Sequence, residues 1–329
     1  MLAIFGFLNN EIKSVTKMNN VTKNPRVLSA YLTLMVAIIG WGFSAPFIEF
    51  GLAHIRPMPF LTYRFFLAAL ILTPYIVLYQ REAFELFKNK YVWLIGISES
   101  MGLILQYLGQ QQQVPAGLTT LLILLFLLIV PFLSTYFLKE SLKGQQLLAV
   151  IIGLVGIVFI ASNGDIIGLI SGSISVFGVL LLVGAAFGYA FYLVFTSKLR
   201  KYERPDINTF NLFYAVLVII ALISGVTTLF TDRFELPAQE GFIWLGLLIL
   251  ISTLIAFFAY FEAMKEIPAN IASVLLLLQV IIAFSIDLLF VGRQYSYWVI
   301  LGSIIILIAM VIAVLTPTEN EGRLSPSSG

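Results

Sequence analysis

The chain alternates long apolar runs with short polar breaks. Ten runs approach the roughly 20 apolar residues that a helix needs to cross a bilayer. They lie at roughly 30–50, 60–79, 91–111, 115–137, 145–162, 174–196, 208–230, 241–262, 269–290 and 296–315. Between them stand turn formers and charges: Arg56-Pro57-Met58-Pro59, Lys88-Asn89-Lys90, Val114-Pro115, Lys139-Glu140, Asn163-Gly164-Asp165, the run from Lys198 to Asp206, Asp232 to Glu240, Ile267-Pro268 and Gly292-Arg293. The runs are continuous rather than alternating, which favours helices over the strands of a membrane barrel. The expectation is an all-α integral membrane protein of ten transmembrane helices.

Composition sharpens this. Hydrophobic residues make up 60% of the 329 and charged residues 11%, against about 25% charged in soluble domains. There is no cysteine and a single histidine, His54. Disulfides, thiolate chemistry and a multi-histidine metal site are thereby excluded; no cofactor and no metal are expected, and the net charge of +2 gives no reason to expect a nucleic-acid partner. Of the 19 basic residues, Arg56, Arg233 and Arg293 fall on one side of the ten-helix plan and Arg64 inside the second helix. The remaining fifteen share the side of the N-terminus. The positive-inside rule makes that side cytoplasmic, so both termini are expected inside and the lipid bilayer of the plasma membrane is the expected setting. The apolar stretch Leu2–Leu8 is too short to span and lacks the basic flank and cleavage site of a signal peptide; Met18 is a second possible start. The polar tail from Thr316 to Gly329 reads as disordered.

The two halves resemble each other. Val114-Pro115-Ala116-Gly117-Leu118-Thr119-Thr120-Leu121-Leu122 lies over Ile267-Pro268-Ala269-Asn270-Ile271-Ala272-Ser273-Val274-Leu275 at an offset of 153 residues. At that offset Tyr107 falls on Tyr260, Glu99 on Ser252 and Phe126 on Gln279. The expected organisation is a tail at 1–28, a first repeat at 29–162, a second at 163–315 and a tail at 316–329. Five helices per repeat is an odd number, so the copies cross the membrane in opposite senses. Such inverted repeats support alternating access to a site near the midplane. Both halves are in one chain, so a monomer can suffice.

Several stretches carry a family resemblance: Gly40-Trp41-Gly42-Phe43-Ser44, Tyr63-Arg64-Phe65-Phe66-Leu67-Ala68-Ala69, the segment from Pro115-Ala116-Gly117 through Pro131 to Leu138-Lys139-Glu140-Ser141-Leu142, Gly153-Leu154-Val155-Gly156 and Ala186-Phe187-Gly188-Tyr189-Ala190. Over about 30–315 the chain resembles the drug/metabolite transporter superfamily in its two-repeat EamA branch. The resemblance implies ten helices in two inverted repeats and movement of small metabolites, amino acids among them. One departure stands out. The family's second copy usually carries a Glu after its fourth helix, as Glu140 does in the first, whereas this chain has Gly292-Arg293. On the sequence alone, whatever Glu140 does on one side is not mirrored on the other.

A charge inside the bilayer costs about 2.5–3.5 kcal/mol on insertion scales, so an intramembrane ion points to function. Glu99 lies in the middle of the third run. Gly102, Gln106, Gln110 and Gln113 follow at spacings of three and four, which puts them on one helix face. Glu99 is the candidate to bind a cationic group or to carry a proton, protons then being the coupling ion; a hydrogen bond between helices is its structural alternative. Gln279 can donate and accept and is a second midplane candidate. Trp41 and Tyr189, beside glycines, are candidate aromatic walls; Ser44, Gln106, Ser252 and Tyr260 complete the expected substrate-binding set. Arg64 and Glu49 are expected to pair near the opposite side, Asp287 to lie at that mouth, and Glu262 with Lys265 to form a surface pair.

The chain is therefore expected to be no enzyme but a secondary transporter working by alternating access. The expected cargo is a small organic metabolite, an amino acid or similar zwitterionic or neutral solute, moved as export. Efflux of lipophilic cations or drugs is the alternative. A multi-span membrane enzyme is remote, because catalytic carboxylates, histidines and metal ligands are not clustered. Phosphorylated cargo would want a deep basic residue, and none is expected near the midplane.

Overall fold

A computed structural model of the chain describes residues 25–162, 174–264, 266–267 and 269–316. The stretch Leu2–Leu8, Met18, Pro268, Lys265 of the expected surface pair, and nearly all of the C-terminal tail lie outside these residues. Among the described residues, nine helices are long and apolar enough to cross a membrane. They are α1 (Arg26–Leu52), α2 (Pro57–Tyr79), α3 (Lys90–Gln111), α4 (Ala116–Phe137), α5 (Gly144–Ser162), α6 (Val176–Glu203), α7 (Thr209–Thr231), α8 (Gly241–Ala263) and α10 (Tyr297–Leu315). The remaining predicted segment, 269–290, is helical but divided into α9a (Ala269–Leu276) and α9b (Leu278–Leu289).

The division has a counterpart. α4 is likewise two pieces, Ala116–Ile123 and Phe126–Phe137, and Leu124 at its break lies 153 residues before Leu277 at the break in α9. α6 runs further than the sequence suggests, into a π turn at Leu199–Glu203. Lys198, Arg200 and Lys201 there do not end the helix, because cations suit the negative end of the helix dipole. α7 starts on Asn208, whose side chain accepts from the backbone N–H groups of Phe210 and Asn211, a standard N-cap.

Helix pairing follows the repeat. α3 packs along α6 and α8 along α1; α4 lies against α6 and α9b against α1; α2 pairs with α7 and α5 with α10. Adding five to each helix number, and counting on from α10 to α1, returns the same set of pairs. In α1, the break at Phe43 is a kink, since Phe43 N–H still bonds Ile39 O (3.1 Å) and Phe47 N–H bonds Phe43 O (2.9 Å). Gly40 and Gly42 let α1 come close to its neighbours: a Cβ on Gly40 would lie 3.0 Å from Ile251 O in α8, and one on Gly42 2.8 Å from Ile282 Cβ in α9b.

The ends of α4 and α9b share one backbone device. Lys139 (φ 59°) and Gly292 (φ 71°) are both left-handed. Glu140 N–H bonds Ser134 O (3.4 Å) and Arg293 N–H bonds Asp287 O (3.0 Å). All three positions correspond at the 153-residue offset. Lysine pays for the left-handed region, by roughly 1–2 kcal/mol. Its contact with the Tyr136 ring, 5.7 Å to the centroid, returns about 0.5–1 kcal/mol at an exposed site. Lys139→Gly is therefore expected to raise stability by a few tenths to about 1 kcal/mol, read as a higher unfolding midpoint in detergent; a lower midpoint would contradict this account.

Candidate functional site: two cavities joined by one helix face

Glu99 faces the bundle interior. It is buried, 9% exposed, and its Oε2 has no hydrogen-bond partner. It lies in the wall of a cavity of about 40 Å³ lined also by Phe65, Tyr192, Thr196, Arg200, Thr209, Phe213, Phe257 and Phe261. The ends of α6 and α8 and the start of α7 form the far part of the lining, so the cavity points to the face on which α1 begins. At that size it holds a water or two. Thr196 Oγ1, in the same lining, is also buried without a partner. Two unsatisfied polar atoms thus stand in a box of aromatic rings.

A wider cavity of about 550 Å³ opens at the opposite face. Its lining includes Glu49, Gln110, Gln111, Gln113, Arg293, Gln294 and Tyr295, and the volume is in the range of small-molecule sites. Glu49 accepts from Ala116 N–H (2.9 Å) and Asp287 from Gly117 N–H (2.7 Å), so two carboxylates cap the start of α4. Arg293 donates to both oxygens of Glu49 and stands 3.6 Å from Asp287, and Tyr295 donates its hydroxyl to Asp287. Burial works against the Arg293 cation, but the hydrogen bonds and charge of Glu49 hold its proton more firmly than usual. Burial and the bond to Asp287 push the Tyr295 hydroxyl well above the ordinary tyrosine range.

The polar face of α3 runs between the two cavities. Gln110 belongs to the wide cavity and donates to Ala45 O (2.9 Å). Gln106 donates to Gln110 Oε1 (3.4 Å) and accepts from the Tyr189 hydroxyl. One turn further is Gly102, against which the Tyr189 ring lies; a Cβ there would come within 2.9 Å of the ring. Glu99 follows. The closed stretch between the cavities is thus the Gln106–Tyr189 bond and the Gly102 contact beneath it.

The other expected site residues divide. Trp41 packs on Phe257 (centroids 5.1 Å) and Tyr260 (5.0 Å), and Phe257 is itself in the Glu99 cavity wall. Ser252, fully buried in the π segment Leu248–Ile255 of α8, donates to Gly40 O (2.7 Å) and ties α8 to α1. Ser44 is half-buried just past the kink in α1. Gln279 is buried in α9b and lines neither of these two cavities. The expected Arg64–Glu49 pair does not form: Glu49 is held by Arg293, while Arg64 reaches inward. It is 4% exposed and donates to Thr253 (2.9 Å) in the middle of α8 and to Tyr107 (3.3 Å). A basic residue therefore does reach the interior, carried there by its long side chain.

Tyr192, Thr196 and Arg200 were not legible as site residues. Their spacing of four places them on one face of α6, a signal available in the sequence. It is masked there because Arg200 reads as part of the basic end of the helix.

A polar file through an apolar helical bundle, with a cavity at each end, defines a membrane transporter. The EamA-like transporter family matches residues 28–162 and 176–315, and the chain belongs to that family. It is similar to the uncharacterized transporter YdfC of Bacillus subtilis, 25% identical over 83% of this chain and 86% of that one. It is also similar to the uncharacterized inner membrane transporter YedA of Escherichia coli K12, 23% identical over 87% and 91%. An uncharacterized transporter of Clostridium kluyveri matches at 24% identity over 56% of this chain; the match spans only 58% of that protein's length. A solved crystal structure shares the fold, with TM-score 0.59 and 16% identity, over 87% of this chain and 97% of its own.

Proposed function

We propose that this protein is a multi-pass secondary transporter of the plasma membrane that moves a small organic solute by alternating access along the polar face of α3. In this reading ten helices span, α9a and α9b together making the ninth. They form two inverted repeats at 29–162 and 163–315, between tails at 1–28 and 316–329, with both termini cytoplasmic. The observation that carries the reading is Glu99: a buried carboxyl group whose Oε2 has no partner, in a cavity wall, at the end of a glutamine file that leads to a wide cavity at the other face. The free oxygen is an open place for a proton or for a cationic group of the cargo. Trp41, Ser44, Gln106, Tyr189, Ser252, Tyr260 and Gln279 complete the binding region as the halves rearrange.

The cargo class is an amino acid or similar zwitterionic or neutral solute, and the direction is export. A lipophilic cation is the second reading. Phe65, Tyr192, Phe213, Phe257 and Phe261 around Glu99 favour it, since aromatic faces attract cations. The test is uptake into proteoliposomes of a panel of amino acids and lipophilic cations, with and without a pH gradient. Saturable, gradient-stimulated flux of an amino acid is the expected result. Saturable flux of a cation alone selects the second reading, and strong transport of a phosphate ester would overturn both.

A further inference from the structure

Arg293, the departure from the family pattern, is explained by the place it occupies. At the 153-residue offset it corresponds to Glu140, and the residues before them, Gly292 and Lys139, share the left-handed turn. Glu140 pairs with Lys201 at the end of α6 (3.1 Å). Arg293 pairs with Glu49 near the end of α1, with one of its two hydrogen bonds at 3.1 Å. Gly40 and Gly188, pressed on Ile251 O and Ser98 O, set an offset of 148 residues between α1 and α6, so Lys201 and Glu49 stand one helical turn apart in register, each near the end of its half's first helix. So the fourth helix of each half is tied to the first helix of the other, at opposite faces, by an ion pair whose signs are exchanged. The function of Glu140 is mirrored after all, by charge reversal.

Both pairs are made in the same structure, although the two faces differ. The wide cavity of about 550 Å³ has Glu49 and Arg293 in its own wall. The cavity toward the other face measures about 40 Å³, with Arg200, the neighbour of Lys201, in its lining. A bond that gated its face would be absent where that face is open. Here the bond on the open face is bidentate and also braces the start of α4 through Glu49.

We infer that Glu140–Lys201 and Arg293–Glu49 are one joint built twice, and that both remain made as the cavities exchange, so that they are pivots between the halves and not gates. The inference rests on the alternating-access reading for its meaning, but its test needs no solute. The chain has no cysteine, so single cysteines report each face: Gln111→Cys in the wide cavity and Thr209→Cys in the narrow one. Labelling of each by a membrane-impermeant maleimide is followed in proteoliposomes with the joints intact, with Arg293→Gln and with Lys201→Gln.

Pivots predict that Arg293→Gln lowers the unfolding temperature by about 2 °C or more, and Lys201→Gln, at the more exposed pair, by about 1 °C. They also predict that the ratio of labelling at the two faces stays within about twofold, since 1.4 kcal/mol would be needed for tenfold. Exchanging the charges of the simpler joint, Glu140→Lys with Lys201→Glu, should recover most of the lost stability. A ratio that moves fivefold or more, in opposite senses for the two variants, would make the pairs gates and overturn the inference. So would unchanged stability in both variants. Failure of the solute panel leaves these labelling results standing, and failure of the labelling prediction leaves transport standing.

Discussion

Glu99→Gln is expected to cut gradient-driven flux tenfold or more while the protein still folds. The substitution keeps the shape of the side chain and removes its ability to gain or lose a proton. Two energetic effects on stability then oppose each other: the cost of burying an ionisable group disappears, and a buried amide with its own donors to satisfy takes its place. Flux has no such cancellation. A hydrogen bond to a charged group is worth about 1.5–3 kcal/mol, which converts to roughly ten- to more than a hundred-fold in affinity. If Glu99 carries a proton, the variant should lose its response to the pH gradient but retain exchange of labelled for unlabelled solute. If it holds the cargo's cation, exchange is lost as well. Unchanged flux with unchanged gradient dependence would make Glu99 a structural residue and remove the observation on which the transport path rests.

Gly188→Val should abolish transport and sharply lower the yield of folded protein. A Cβ at Gly188 would stand 2.5 Å from Gly102 N, 2.7 Å from Gly102 Cα and 2.9 Å from Ser98 O. All three are backbone atoms of α3 and cannot turn aside. Overpacking of this kind costs about 1–3 kcal/mol, and parting α3 from α6 also breaks the Gln106–Tyr189 bond that closes the path. Gly184→Val is the matched control: its Cβ meets only Leu105 Cδ1, at 3.2 Å, a side-chain tip that can move. The expected result is a large fall in unfolding temperature for Gly188→Val and a much smaller one for Gly184→Val. Equal effects of the two would show that the close crossing of α3 and α6 is not where this packing energy resides.

That pair of glycines shows where sequence reading reaches and where it stops. Gly184-x3-Gly188 is visible as a helix-packing spacing, but only the partner helix reveals which glycine is pressed. The helices themselves were legible because bilayer thickness writes a length into the sequence. The α3 file was legible because a helix face has a fixed period. Arg64 was not, because its partners Thr253 and Tyr107 come from other helices and its long side chain crosses the depth that its position implies. The repeat was legible where identities persist, near Pro115 and Ile267, and invisible at the joints, where the backbone turn persists but the charges are reversed.

The reversed joint bears on how the two halves came to differ. Two identical copies facing each other in opposite senses must carry the same polarity at both joints, because each residue serves in both places at once. Reversing one joint then requires a change that harms the other. In a fused chain the second copy is free to drift: Arg293 and Glu49 can be settled as a matched set while Glu140 and Lys201 stay as they are. Two copies of either half alone would set Glu140 against Glu49, or Arg293 against Lys201, and so place like charges at both joints.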